Sequence, residues 1–126
     1  MKSDPFIPSA YLCCLLLLHV VEKRDEERKT DATRLRLSEL TLKRVCCRPR
    51  LDSGFLAELQ DWMLRAGWVL FYADRSYAAI KLDVVEAWPR LGSKRIKADL
   101  DSVARGEFDF GSLNGLFKPP EQGDED

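Results

Sequence analysis

The sequence predicts an α+β fold that is mainly helical and carries one small antiparallel β-hairpin. Three observations predict it. A long apolar run lies near the start of the chain, a second segment repeats apolar residues at helical spacing, and in a third a short turn separates two runs rich in aromatic and β-branched residues. The chain has 126 residues, of which 45% are hydrophobic and 33% charged. This length and mixture are typical of one globular domain with short tails.

The apolar run AYLCCLLLLHVV spans residues 10–21 and precedes the charged stretch EKRDEERK. Ser9 is a suitable N-cap, so we predict a helix from there to about Lys29. A helix that is apolar on every face has to be buried on more than one side. It is therefore either the central core helix of a monomer or part of a dimer interface. The interface alternative uses Leu12, Leu15, Leu16 and His19.

A short strand and a short helix come next. In TRLRL, residues 33–37, leucines alternate with arginines, which indicates a half-buried strand. Ser38 is the expected N-cap of a helix over about 39–47. Arg48-Pro49-Arg50 ends that helix, because the residue before a proline avoids the helical region.

The clearest helical repeat lies in GFLAELQDWMLRA. Its apolar residues recur every three or four positions: Phe55, Leu59, Trp62, Met63 and Ala66. Asp52 or Ser53 is the expected N-cap, and Gly67 is the glycine that commonly follows a helix end.

The next segment, WVLFYADRSYAAIKLD, predicts the hairpin. Two runs rich in aromatic and β-branched residues flank the short turn Asp74-Arg75-Ser76. Because strand side chains alternate between faces, we expect one set to face the core and Lys81 to face solvent. The expected inward set is Ala78, Ile80 and Leu82.

Weaker helical signals follow the hairpin. Asp83 and Glu86 have the spacing of a capping-box variant, which predicts a short helical turn over Val84–Trp88. Ser93 is the expected cap of a last helix over about 94–105. Its apolar stripe is Ile96, Leu100 and Val103.

These elements divide the chain into three parts. Residues 1–8 form an irregular N-terminus, and residues 9–106 form the domain. Residues 107–126 form an apolar arm and a tail. EFDFGSLNGLF is broken by glycines and predicts an irregular arm, and the acidic segment after it predicts disorder.

The cysteines and the single histidine do not form a recognisable catalytic or metal site. The pairs Cys13-Cys14 and Cys46-Cys47 lack the two to four intervening residues that structural zinc sites prefer, and they sit among leucine and valine. We expect small buried apolar residues there, without a metal or cofactor. No glycine-rich phosphate loop, HExxH or nucleophile elbow occurs, so we do not expect an enzyme.

The apolar run also bears on where in the cell the protein is expected. It is too short to span a bilayer, and its flanks lack the features of a signal peptide. Adjacent cysteines seldom bridge each other and do not resemble the framework of a secreted disulfide domain. We therefore expect no membrane association and a place in the reducing cytoplasm.

The order helix, strand, helix, helix, hairpin resembles the winged helix-turn-helix superfamily. The residues that carry the resemblance are RLRL, SELTLKRVC, RPRLD, SGFLAELQDWMLRAG and WVLFYADRSYAAIKL. The resemblance implies a winged-helix fold with flanking N- and C-terminal helices. In such domains the second helix of the motif enters the major groove of duplex DNA and the hairpin wing touches the backbone.

The implied function is DNA binding by a small transcriptional regulator, or by a mobile-element or phage accessory factor. The resemblance also implies a homodimer, joined through the N-terminal helix and the C-terminal arm. Residues 34–50 carry six cations and one acid, a net charge of +5 that suits phosphate contacts. Those cations are Arg34, Arg36, Lys43, Arg44, Arg48 and Arg50. Gln60 and Arg65 would reach the groove, and Arg75 is the cation of the wing.

The helix in the recognition position runs against this expectation. Residues 52–66 carry Asp52, Glu58 and Asp61 against Arg65 alone, a net charge of −2. Phosphates wall the groove and repel such a helix. The alternative function is therefore a winged-helix protein–protein interaction module, an adaptor or inhibitor, that uses its acidic third helix.

Overall fold

The computed structural model describes residues 5–120 and shows a mixed α+β architecture. Its helices and strands are, in chain order, α1 (Ala10–Arg28), β1 (Arg34–Ser38), α2 (Glu39–Cys46), α3 (Ser53–Arg65), β2 (Trp68–Ala73), β3 (Ser76–Lys81), α4 (Leu82–Glu86) and α5 (Lys97–Ala104). Two 3₁₀ helices, Lys94–Ile96 and Phe110–Leu116, flank α5. The expectations for residues 1–4 and for the acidic tail at 121–126 lie outside the described residues. The chain divides into two compact units between Trp88 and Pro89.

The first three helices begin at caps that the sequence predicts. The side chains of Ser9, Ser38 and Asp52 each accept a hydrogen bond from the amide three residues later, at 3.3, 3.1 and 2.8 Å. Each bond satisfies one of the amides that a helix start leaves without a partner. The choice between Asp52 and Ser53 for α3 is thereby decided in favour of Asp52.

Local side-chain and backbone features also fix the helix ends. Gly67 follows α3 with φ of 90°, a conformation that a glycine adopts without steric cost. At the end of α1, the carboxylate of Asp25 accepts from the hydroxyl of Thr30 at 2.9 Å and from the amide of Ala32 at 3.3 Å. These bonds turn the chain from α1 into β1.

The sheet has three antiparallel strands in the order β1-β3-β2. Leu35 on β1 and Leu70 on β2 both lie opposite Ala79 on the central strand. The hairpin of β2 and β3 is the predicted one, and β1 overlaps the predicted strand at 33–37 with a shift of one residue. The pairing of β1 with β3 closes the sheet across a gap of about forty residues, and no local pattern in the sequence shows that contact.

The predicted inward face of β3 is wrong by one residue. Tyr77 and Ala79 are buried, whereas Ala78 and Ile80 lie on the opposite face and Leu82 begins α4. Both phases of this strand are apolar, so alternation alone cannot tell which one is inside. The partners decide, because Leu70 and Trp68 of β2 face the core in register with Ala79 and Lys81. Lys81 shares that phase, is half-buried, and lies over the Trp68 ring at 5.8 Å.

The core of the first unit lies between α1, α2, α3 and the inner face of the sheet. Leu42 and Leu59 are completely buried at its centre. The other core members are Ala10, Cys13, Cys14, Leu17, Cys46, Phe55, Met63, Trp68, Leu70, Tyr77 and Ala79. Burying each large apolar side chain contributes on the order of 1.5–3 kcal/mol, which makes this cluster the main source of stability.

Within the described part of the first unit, helix α1 is covered on one side only. Cys13 and Leu17 face the core, whereas Leu15, Leu16 and Val20 are exposed. Two of the residues predicted for an interface, Leu15 and Leu16, are therefore among the exposed ones.

Three predictions after the hairpin need correction. Helix α4 begins at Leu82, so Asp83 lies in its first turn and does not cap it. The last helix starts as a 3₁₀ turn at 94–96, and Ser93 makes no side-chain cap bond. A 3₁₀ helix occupies 110–116 where an irregular arm is expected, because Asp109 accepts from the Gly111 amide at 3.0 Å and starts the turn.

The second unit has no buried residue between positions 89 and 120. Its predicted apolar stripe is exposed, with Ile96 at 47%, Leu100 at 43% and Val103 at 39%. Phe108 and Phe110 contact each other edge to face, with ring centroids 4.9 Å apart.

Candidate interaction surfaces

Helix α3 presents an acidic and apolar surface to solvent. Phe55, Leu59 and Met63 form its buried stripe, as their helical spacing predicts. The opposite side carries Ala57, Glu58, Asp61, Leu64 and Arg65, all exposed. We name this set the α3 surface.

The two residues predicted to reach a DNA groove are both engaged within the chain. The Gln60 amide nitrogen donates to the carbonyl oxygen of Leu70 at 3.0 Å and so ties α3 to β2. The Arg65 guanidinium pairs with Asp61 at 3.2 Å and lies over the Trp62 ring at 4.7 Å. Base reading by either side chain would require these contacts to break.

Two of the predicted phosphate-binding cations also have structural roles. Lys43 pairs with Glu39 one turn earlier at 3.3 Å. Arg48 is half-buried, donates to the carbonyl oxygen of Pro8 at 3.0 Å and stacks 3.9 Å above the Phe55 ring. Its Nε is buried without a hydrogen-bond partner among residues 5–120. Arg48 therefore holds the segment before α1 against the start of α3.

The other five predicted cations are exposed and form no ion pair within the described part of the chain. They are Arg34, Arg36, Arg44, Arg50 and Arg75. Arg34 and Arg36 share the outer face of the edge strand β1, opposite Ile80 and Ala78. Arg75 lies at the hairpin turn, beside Asp74 with its left-handed φ of 63°. This distribution leaves the basic residues on several elements and none of them on α3.

The uncovered side of α1 forms an apolar groove of about 450 Å³. Its lining includes all four residues predicted for a dimer interface, Leu12, Leu15, Leu16 and His19. Phe6, Pro8 and Cys47 complete it. We name this set the α1 groove.

Three of the four cysteines are buried, as the sequence predicts, and Cys47 is exposed. The Cys13 thiol lies 3.7 Å from the carbonyl oxygen of Pro8 and 3.9 Å from that of Cys46. Burial raises the pKa of the Cys46 thiol, and charge on the neighbouring Cys13 would add to the effect. Burial likewise raises the pKa of Cys14. The thiols of Cys14 and Cys46 therefore stay protonated and behave as apolar packing groups.

No group of three or more metal-ligating side chains occurs in the part of the chain that the structure describes. No helix within residues 5–120 combines the length and apolar character that a bilayer crossing requires. Compared with protein-family models, curated proteins and solved structures, the chain has no match.

Sequence reasoning found the acidic residues of α3 and missed two features of that helix. It did not place Leu64, 46% exposed, beside Glu58 and Asp61. Helical spacing could have placed it, since Asp61 and Leu64 are three residues apart on one face. It also missed the Gln60 contact to Leu70, which depends on how α3 packs against β2.

Proposed function

We propose that the chain is a winged-helix protein-interaction module whose α3 surface docks on a partner protein with a basic surface. The order α1-β1-α2-α3-β2-β3 and the sheet order β1-β3-β2 support the winged-helix assignment. The single observation that carries the docking proposal is the chemistry of the α3 surface, where Glu58, Asp61 and the apolar Leu64 are exposed together.

The electrostatics of α3 favour a protein over a DNA groove. A helix in the major groove lies between two rows of phosphates, and carboxylates there are repelled. The Arg65 cation offsets only Asp61, to which it is already paired, so Glu58 remains without a cation among the described residues. A lysine- or arginine-rich protein surface reverses the sign of this interaction.

The apolar part of the α3 surface gives such an interface its centre. Protein interfaces combine an apolar core with a polar rim, and charge complementarity sets the orientation and the rate of association. Leu64 supplies the apolar contact and Ala57 lets the partner approach the helix backbone, while Glu58 and Asp61 supply the charge.

Affinity capture from the native cell tests this proposal, with nuclease treatment in parallel. We expect wild-type chain to retain a basic partner regardless of nuclease, and Glu58→Arg to lose it. Glu22→Arg is the matched control, because Glu22 is an exposed acid on α1 away from α3. Retention by Glu58→Arg, or release by nuclease, contradicts the proposal.

A second candidate function is duplex DNA binding through the phosphate backbone, as in a small transcriptional regulator or a mobile-element accessory factor. The five exposed arginines that form no ion pair within residues 5–120 favour it. Arg34, Arg36, Arg44, Arg50 and Arg75 are the residues that would contact phosphates.

A salt-titrated gel shift separates the two candidates. DNA binding predicts an affinity that falls steeply with salt, a smaller salt slope in Arg44→Ala and Arg50→Ala, and tighter binding by Glu58→Arg. Absence of salt-sensitive binding to any duplex rules out this second function and leaves the first untouched.

We also propose that a second copy of the chain covers the α1 groove, giving a homodimer. The groove is lined almost entirely by apolar side chains, and its residues extend over successive turns of α1. Sedimentation velocity tests this, with dimer expected for wild type and monomer for Leu16→Glu. Leu40→Glu is the control, since Leu40 is also exposed, at 55% against 39% for Leu16, but lies on α2 outside the groove. A monomeric wild type contradicts the dimer.

A further inference from the structure

A recess of about 350 Å³ opens between α1, β1 and α2 and has its floor on the core. Leu17, Trp68, Leu70 and Ala79, all buried members of the core, form the floor. Its volume lies in the size range of small-molecule sites, roughly 300–1,000 Å³. Other recesses on the first unit are somewhat larger, about 430–450 Å³, so the floor of buried core residues, and not the size, distinguishes this one.

The lining of the recess is apolar with a few polar groups on one side. Leu35 and Leu37 of β1 and Val45 of α2 form its walls and are only partly buried. Their side chains would gain further burial from an apolar occupant, on the order of 25 cal/mol for each Å² removed from water. The occupant therefore has an apolar body.

The polar groups at the recess favour a negative charge. Arg24 of α1 lines it and supplies its cation, and no aspartate or glutamate among the described residues does. Arg36 borders the recess, but its side chain lies on the outer face of β1. Arg24 lies 3.9 Å from Asp25, whose carboxylate is already hydrogen-bonded to Thr30 and Ala32. The Arg24 guanidinium is half-buried and has N–H donors left for an anion.

A hydroxyl at the same recess adds a further donor. Thr41 accepts from the Ser38 hydroxyl at 3.0 Å, and its own proton has no acceptor in residues 5–120. Both hydroxyls line the recess at the start of α2. Guanidinium and hydroxyl donors beside an apolar floor match a carboxylate on an aliphatic or aromatic body.

We propose that this recess is a binding site for a small amphipathic carboxylate. The apolar body lies on Leu17, Trp68 and Leu70, and the carboxylate contacts the Arg24 guanidinium. An engineered apolar cavity of about 150 Å³ binds benzene, so a recess of about 350 Å³ holds a ligand roughly twice that size. The site is separate from the α3 surface and from the α1 groove, so it does not depend on the function proposed for either.

Titration of the full chain with octanoate, followed by calorimetry and by methyl NMR, tests the proposal. We expect saturable one-site binding, with shifts concentrated at Leu17, Leu35 and Leu70. The neutral 1-octanol and the cationic octylammonium should bind at least several-fold more weakly. Loss of one charged hydrogen bond predicts a roughly tenfold weaker affinity for octanoate in Arg24→Met.

Two further variants keep the test decisive. Arg28→Met removes the same charge one turn later on α1, outside the recess, and should bind octanoate like wild type. Val20→Trp adds bulk at the mouth, where Val20 is 48% exposed, and should lose binding without unfolding the chain. No saturable binding, equal binding of octylammonium, or shifts centred on Leu15 and Leu16 would overturn the proposal.

Discussion

Helix α3 and the segment formed by α5 with the 3₁₀ turn before it carry apolar stripes of the same type, but only the stripe of α3 is buried. In α3 the stripe Phe55, Leu59 and Met63 is buried, with Leu59 fully inaccessible. In the second unit the stripe of Ile96, Leu100 and Val103 remains exposed, with Leu100 at 43%. Periodicity therefore indicates which face of a helix is apolar, and not whether anything in the chain covers it.

The difference lies in the partners that each stripe has. Helix α3 packs on α1 and β2, and its Gln60 bonds to the Leu70 carbonyl. Helix α5 has eight residues, and its unit contributes no buried side chain in the described positions 89–120. Short helices depend on tertiary packing more than on propensity, so the first unit should account for most of the free energy of unfolding.

The largest predicted effect separates the two stripes. Leu59→Ala removes a fully buried side chain and should lower the free energy of unfolding by about 2–5 kcal/mol. Leu100→Ala, on a side chain that is 43% exposed, should change it by less than about 1 kcal/mol. Urea unfolding followed by far-ultraviolet circular dichroism, which reports the helices of both units, measures both. Equal losses would show that the α5 stripe is buried after all.

The same contrast explains how far the sequence predicts this fold. The helices α1, α2 and α3, their caps and the hairpin follow from local signals, because each signal acts within a few residues. The inward face of β3 and the pairing of β1 with β3 depend on contacts across the chain. Ala78 and Ile80 are as apolar as Tyr77 and Ala79, so only the partner strands could decide the face.

The candidate surfaces divide in a similar way. The sequence identifies the acidic residues of α3, and helical spacing places Leu12, Leu15, Leu16 and His19 on one side of α1. It does not show that Arg48 is held by Pro8 and Phe55, or that Gln60 is bonded to Leu70. Those side chains look like free binding groups until the packing of separate elements is known.

The next largest effect on stability concerns helix caps, and it again compares the first unit with the second. Asp52→Ala removes a carboxylate that accepts from the Phe55 amide at 2.8 Å, and should cost about 1 kcal/mol. Ser93→Ala removes a side chain that makes no cap bond and should leave stability unchanged. Thermal unfolding by circular dichroism measures the pair. A matching loss in Ser93→Ala would indicate a cap that the structure lacks.

Buried thiols predict a pH effect confined to the first unit. Burial raises the pKa of Cys46 above its ordinary value of 9.0, so above that pH the unfolded chain loses a proton that the folded chain keeps. The folded state then binds more protons, and stability should fall as pH rises from about 9. Urea unfolding between pH 8 and 10 measures the slope. Cys46→Ala should reduce this slope and leave the contribution of Cys14, whereas Cys47→Ser, at an exposed thiol, should not change it.

The smallest predicted effect on stability comes from exposed ion pairs, and it should be the same in both units. Helices α3 and α5 each carry one exposed ion pair four residues apart, Asp61 with Arg65 at 3.2 Å and Asp101 with Lys97 at 3.5 Å. Exposed pairs of this kind contribute about 0.3–0.5 kcal/mol and weaken with salt. Asp61→Asn and Asp101→Asn should each lower local helix stability by no more than that. Amide hydrogen exchange within each helix, at low and high salt, measures the change. A much larger loss in α3 alone would mean that its charges, and not its buried stripe, distinguish the two helices.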